Sequence, residues 1–105
     1  MHLTSYLQNG ELTVILKGEI DHHCARGYIE GIEARIEAYM PEVCILDFQE
    51  VTFTDSSGIA VVINAVRSME RIEGRVILAG LSEQPMKVFH TSGIDKLVEI
   101  KEAVS

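Results

Sequence analysis

Cysteine is scarce in this chain: its 105 residues hold 2, Cys24 and Cys44, outside any paired Cys or His motif. That argues against a zinc module and fits a reducing compartment in which both thiols act as small packed side chains. Cys24 stands where a helix is expected to begin, a position that can lower a thiol pKa. Positive charge is short as well. Nine Lys and Arg against 16 Asp and Glu leave a formal charge of −7. Arg67, Arg71 and Arg75 are interleaved with Glu70 and Glu73 rather than gathered on one face, so no nucleic-acid partner is expected. Long apolar runs are missing. The longest, residues 59–63, is far below bilayer length, and Met1-His2-Leu3-Thr4-Ser5 has no basic segment leading into an apolar one. No membrane partner is expected, and the expected location is the cytoplasm.

What is present is the material of one ordinary globular core. With 47% hydrophobic and 24% charged residues, the 105 positions suit a single domain over residues 1–105 that needs no disulfide or metal. Asn9-Gly10 is the strongest short hairpin signal and predicts antiparallel strands over residues 3–8 and 12–16, after which residues 17–21 leave the sheet. Ile29, Ile32, Ile36 and Tyr39 keep helical spacing up to Pro41. Gly27 and Gly31 each cost that helix about 1 kcal/mol against Ala, so its stability must come from packing on the sheet. Residues 43–48 read as a continuous apolar, central strand and residues 75–79 as another, closed by Gly80. A short helix over 85–90 ends at Ser92-Gly93, and 97–100 form a last strand. The predicted order is ββαβαβαβ with a short C-terminal helix stub. This is an α/β fold whose mixed, mostly parallel sheet is packed with helices through right-handed crossovers.

The chemistry concentrates in residues 51–63, where hydroxyl residues stand between an extended segment and an apolar helix. Ile59, Val62, Ile63, Val66 and Met69 recur at helical spacing and form the expected buried stripe; Ala60 and Val61 lie off it, available for contact. Asp55, Ser56 and Ser57 are the residue types that satisfy unpaired amides at a helix start, and capping alone would account for them. Ser56 is the expected cap, which leaves the Ser57 hydroxyl free. Gly58 would let another backbone or a nucleotide phosphate come close. Asp21 either caps the first helix or joins this face; its residue type fits both.

Gly18-Glu19-Ile20-Asp21-His22-His23 followed by Phe53-Thr54-Asp55-Ser56-Ser57-Gly58-Ile59 resembles the STAS domains of bacterial anti-sigma-factor antagonists. The resemblance spans nearly the whole chain. It takes in strand 44–48, the helix from Ser57, strand 75–79 and Thr91-Ser92-Gly93-Ile94-Asp95-Lys96, and is strongest to the sporulation members that antagonise an anti-sigma-F factor. It implies a STAS fold and a regulatory protein, not an enzyme, with no cofactor or metal of its own and a monomeric state. The unphosphorylated form would bind an anti-sigma factor that is a serine kinase carrying ATP or ADP, and so free the sigma factor. That kinase would phosphorylate Ser57, the second serine of the motif, and a PP2C-type serine phosphatase would reverse it. The partner-binding residues implied are Asp21, Thr54, Asp55, Ser56, Ser57, Gly58, Ala60 and Val61. Two departures stand out: only residues 101–105 follow the last expected strand, where family members commonly carry a further helix, and Ala60 replaces a common second Gly.

Other readings are weaker. A STAS module of another partner-switching pathway, such as general stress control, differs only in its partners. Asp21-His22-His23 also names a manganese-dependent phosphoesterase family, but the chain is short for it, lacks the further Asp motifs, and has only His2 and His90 besides. A serine hydrolase would need a Gly-x-Ser-x-Gly elbow and a base, and neither is evident.

Overall fold

Every element of the chain is organised by one sheet of five strands, seen in a computed structural model that describes residues 3–103. The elements are β1 (Leu3–Gln8), β2 (Glu11–Ile20), α1 (Ala25–Tyr39), β3 (Val43–Thr54), α2 (Ser57–Glu70), β4 (Arg75–Ala79), α3 (Glu83–Thr91), a 3₁₀ turn (Ile94–Lys96) and β5 (Glu99–Lys101). The strands lie in chain order; β1 pairs antiparallel with β2 and the other pairs are parallel. This is the expected mixed sheet. Its hairpin closes as Asn9-Gly10 requires, with both residues left-handed at φ 52 and φ 78 and Gln8 opposite Glu11. Among the described residues no helix is long and apolar enough to cross a membrane.

Period-two alternation splits the sheet into two faces. Leu12, Val14 and Leu16 of β2, Cys44, Leu46 and Phe48 of β3, and Val76 and Leu78 of β4 join Tyr28, Ile32 and Ile36 of α1, Val61, Val62, Ala65 and Met69 of α2 and Phe89 of α3 in the main core. Val43, Ile45, Ile77 and Ala79 form a smaller cluster on the opposite face.

Three expectations are corrected. Residues 17–20 do not leave the sheet: β2 runs on to Ile20, with register shifts between Ile15 and Lys17 and between Gly18 and Glu19, where Gly18 takes φ 80. The bulges keep a polar stretch paired beside a β3 that itself continues to Thr54. On α2 the buried face is Gly58, Val61, Val62, Ala65, Ser68 and Met69, so Val61, at 1% exposure, belongs to the core while Ile59 is only half-buried. The same helical period begins one residue earlier than the hydrophobic stripe suggested. Gly58, Ala65 and Ser68 carry little hydrophobicity, but their small size lets the helix approach the sheet. Finally, among the described residues no helical stub follows the last strand: Lys101 closes β5 and Glu102 is a bend, and residues 104–105 lie outside them.

The rotated face of α2 predicts unequal losses on truncation. Val61→Ala should cost about 2 kcal/mol of unfolding free energy and Ile59→Ala roughly half that, read from urea midpoints at equal m.

Candidate functional site

β2 and β3 end together. Ile20 pairs with Thr54, and the Asp55 amide donates to the Ile20 carbonyl at 3.1 Å, so the loop that begins at Asp21 and the loop that begins at Asp55 leave the same edge of the sheet side by side. This is the carboxyl end of the parallel strands, where open α/β sheets place their sites. From there α2 starts at once, and its first turn presents Ser56, Ser57 and Ala60 to the outside.

The cap is not where it was expected. Ser56 already has helical dihedrals, φ −62 and ψ −15, and its side chain makes no capping bond. A capping side chain folds back from an extended backbone, which Ser56 does not have. Asp55 does the work instead: its Oδ1 accepts the Ser57 amide at 2.7 Å in an Asx turn. The Gly58 and Ile59 amides donate to the carbonyls of Asp55 and Ser56, both at 3.1 Å. Among the described residues neither the Ser56 nor the Ser57 hydroxyl has a hydrogen-bond partner, so both are chemically available. They differ in setting: Ser56 is exposed and Ser57 half-buried, with its own amide tied to a carboxylate.

Three of the expected contact residues are not on the surface. Thr54 is 0% exposed. Its amide donates to Gln84 Oε1 at 2.9 Å, its carbonyl accepts from Gln84 Nε2 at 2.8 Å, and its hydroxyl donates to the Asp55 carbonyl at 3.0 Å. Gly58 is buried against it, and a Cβ there would collide with Thr54 Oγ1. The missing side chain thus makes room for Thr54, not for an incoming phosphate or backbone. Val61 points into the core. Asp21, Asp55, Ser56, Ser57 and Ala60 remain at least partly exposed.

Asp21 caps the approach to α1. Its Oδ1 accepts the His23 amide at 3.0 Å and the Cys24 amide at 3.2 Å, and its carbonyl accepts the Ala25 amide at 2.9 Å. Desolvation pushes its carboxyl pKa up, but hydrogen bonds from Cys24 and from the His23 amide, with the charge of His23, outweigh that and hold it below the usual carboxylate range. His22 and His23 lie ring to ring, 3.9 Å apart and both exposed. Among the described residues no cluster of three or more His, Cys, Asp or Glu side chains could hold a metal. Cys24 donates through Sγ to the Glu19 carbonyl at 3.3 Å, and burial pushes the Cys44 thiol up to about 12.

Two features of the site escaped the sequence. Ser56 and Ile59 of the α2 head face Lys87, Val88 and Thr91 of α3, and Ser92 just after it, across an open groove of about 400 Å³. Phe53, 41% exposed, stands immediately before Thr54. The half-buried Ile59 follows from the true register of α2, but nothing local in the chain tells that α3 lies opposite.

Two outcomes follow. Gly58→Ala should destabilise the fold by about 1–3 kcal/mol, because the added methyl overpacks against Thr54, and a thermal melt should show it. For Asp21 the folded-state pKa is depressed, so its cap is complete above the unfolded carboxylate pKa and is lost as pH falls through the folded value. An NMR titration should give Asp21 a midpoint below that of an exposed aspartate.

Comparison with known proteins gives the family and the fold. The STAS domain model matches residues 3–105. The chain is 35% identical over 99 residues to the anti-sigma F factor antagonist of Lysinibacillus sphaericus, covering 90% of this chain and 81% of that protein. It is 29% identical over 90 residues to the anti-sigma-B factor antagonist of Listeria monocytogenes, covering 86% and 78%. The solved structure of the anti-sigma factor antagonist SpoIIAA in its unphosphorylated form superposes with a TM-score of 0.84 at 28% identity, covering 99% of this chain and 90% of that one. SpoIIAA of Bacillus in its phosphorylated form gives 0.75 at 28% identity, covering 99% and 93%. The chain belongs to the STAS domain family.

Proposed function

We propose that this protein is an anti-sigma factor antagonist that works by partner switching, with Ser57 as its phosphoacceptor. The observation that carries the reading is a free, half-buried Ser57 hydroxyl on the first turn of α2, over a fixed loop. It stands in a chain 35% identical to a protein named for this activity. Unphosphorylated, it binds an anti-sigma factor through Asp21, Asp55, Ser56, Ser57 and Ala60, with the groove between α2 and α3 as the adjoining apolar surface. The anti-sigma factor is itself a serine kinase holding ATP or ADP. It transfers phosphate to Ser57 and lets go, and a PP2C-type phosphatase restores the antagonist. On this reading the chain is a cytoplasmic regulator acting as a monomer, and the catalytic groups belong to its partners.

A phosphate on Ser57 brings about −1.5 to −2 charges and three acceptor oxygens to a helix N-terminus, a position that tolerates anions, so the fold survives the modification. Release then needs only a local effect. The new dianion sits beside the Asp55 carboxylate on a protein already at −7. Any acidic group or nucleotide phosphate facing it is repelled, and each 1.4 kcal/mol of that repulsion weakens the complex about tenfold.

A second reading keeps the mechanism and changes the circuit. The 29% identity to an anti-sigma-B factor antagonist supports a partner in a general stress pathway. Incubating the protein with kinase-type anti-sigma factors of each class and ATP, followed by intact-mass and peptide mapping, separates the two. One phosphate should appear on Ser57 with the cognate kinase and vanish in Ser57→Ala. Ser57→Ala should still bind that kinase, whereas Ser57→Asp should bind at least about tenfold more weakly by calorimetry. Phosphate on Ser56, or tight binding by Ser57→Asp, would overturn the assignment.

A further inference from the structure

α3 reaches the acceptor loop through one side chain. Gln84, in the first turn of α3, lays its carboxamide along Thr54, accepting from the Thr54 amide at 2.9 Å and donating to the Thr54 carbonyl at 2.8 Å. The position explains the need. β4 pairs with β3 only from Val43 to Asp47, so the far half of β3 has no strand on that side. The amide and carbonyl of a β residue point the same way in a parallel ladder, and on the other side β2 is already engaged through Ile20 and Asp55. Thr54 is 0% exposed, so without Gln84 its main chain would have a buried donor and a buried acceptor with no partner. A primary amide, with one acceptor and a donor pair in one plane, stands in for the missing strand.

The attachment is seated from both ends. Ser82 Oγ donates to the Val51 carbonyl at 3.4 Å, and Phe89 packs edge-on against Phe48 with ring centroids 5.4 Å apart, so α3 cannot drift from β3. From Thr54 the contacts continue outward: its hydroxyl donates to the Asp55 carbonyl, Asp55 Oδ1 holds the Ser57 amide, and Gly58 closes over Thr54 Oγ1. Among the described residues, Gln84 is the one side chain outside the loop that hydrogen-bonds to the first member of this series.

We propose that Gln84 is the positioning residue of the phosphoacceptor loop: it holds Thr54, and through Asp55 the Ser57 hydroxyl, in the geometry that accepts a phosphoryl group. The proposal rests on the reading of Ser57 as acceptor. Gln84 bonds to the Thr54 main chain and not to the Ser57 hydroxyl, so its effect falls on orientation of the reacting atom, where a misplacement of about 1 Å can cost on the order of a hundredfold in rate.

The test uses Gln84→Met, which keeps length and volume but makes neither hydrogen bond, and Gln84→Glu, whose carboxylate can accept from the Thr54 amide but cannot donate to its carbonyl. Steady-state phosphorylation by the cognate kinase-type anti-sigma factor is measured together with amide hydrogen exchange. For Gln84→Met, kcat should fall at least about tenfold with KM within about threefold, and exchange should rise at Thr54 and Ser57 while core amides such as Leu46 stay protected. Gln84→Glu should move the same quantities in the same direction, and it carries the test if the Met variant does not fold. Wild-type kcat in a folded variant, or exchange that rises equally throughout the core, would overturn the proposal. If the wild-type protein accepts no phosphate from any such kinase, the Ser57 reading fails. The clamp is then judged by exchange alone, and unchanged protection at Thr54 and Ser57 in the variants sinks it too.

Discussion

Everything about the site depends on β2 and β3 staying paired to their last residues. β3 carries more residues than β2 over the shared span. The surplus is absorbed at two bulges in β3, one opposite Leu16 and one at Thr52 across from Gly18, whose φ of 80 a residue bearing a Cβ would adopt only under strain. Ile20 and Thr54 therefore arrive together, and the bond from the Asp55 amide to the Ile20 carbonyl ties two loops that are far apart in the chain. Neither loop has to fold against a partner to be placed.

Under the exposed first turn of α2 lies a fully satisfied buried polar residue. Thr54 has its amide, carbonyl and hydroxyl all engaged, and Gly58 fits over it only because it has no side chain. Buried polar groups specify one arrangement more sharply than apolar packing does, since any shift leaves a donor or acceptor unpaired. The consequence is a division between a rigid underside and an outer layer of small residues, Ser56, Ser57 and Ala60. Side chains this small leave room for a close approach to the α2 head.

Much of the fold could be read from the chain because its signals were local: Asn9-Gly10 for the hairpin, the apolar runs of β3 and β4, and Pro41 after α1. Most of what was misread involved tertiary override. Residues 17–20 look like a turn by composition but pair with a strand distant in sequence. Val61 and Ile59 exchanged places because the buried side of α2 is marked by Gly58, Ala65 and Ser68, which hydrophobic periodicity does not score. The motif located the site, yet residue type alone could not divide its members. Asp55 rather than Ser56 caps the helix because of a backbone angle, and Thr54 is buried because Gln84 on a later helix reaches it. The groove with Lys87 and Val88 has no local signature.

If Ser57 is the phosphoacceptor proposed above, the hydrogen bonds of the loop also bear on what kind of switch it can be. A phosphate on Ser57 would meet an amide already held by Asp55, so the modification has no unpaired helix donor at that residue to recruit and no loose segment to order. With fold and loop both retained, the two states would differ chiefly in charge at one point of a surface. Such a difference would be screened over roughly 8 Å at physiological ionic strength, so it would act chiefly on groups within about that distance of the α2 head. A charge switch of that range would act on a complex that brings acidic or phosphate groups near Ser57. The small outer residues and the fixed underside are what allow that approach.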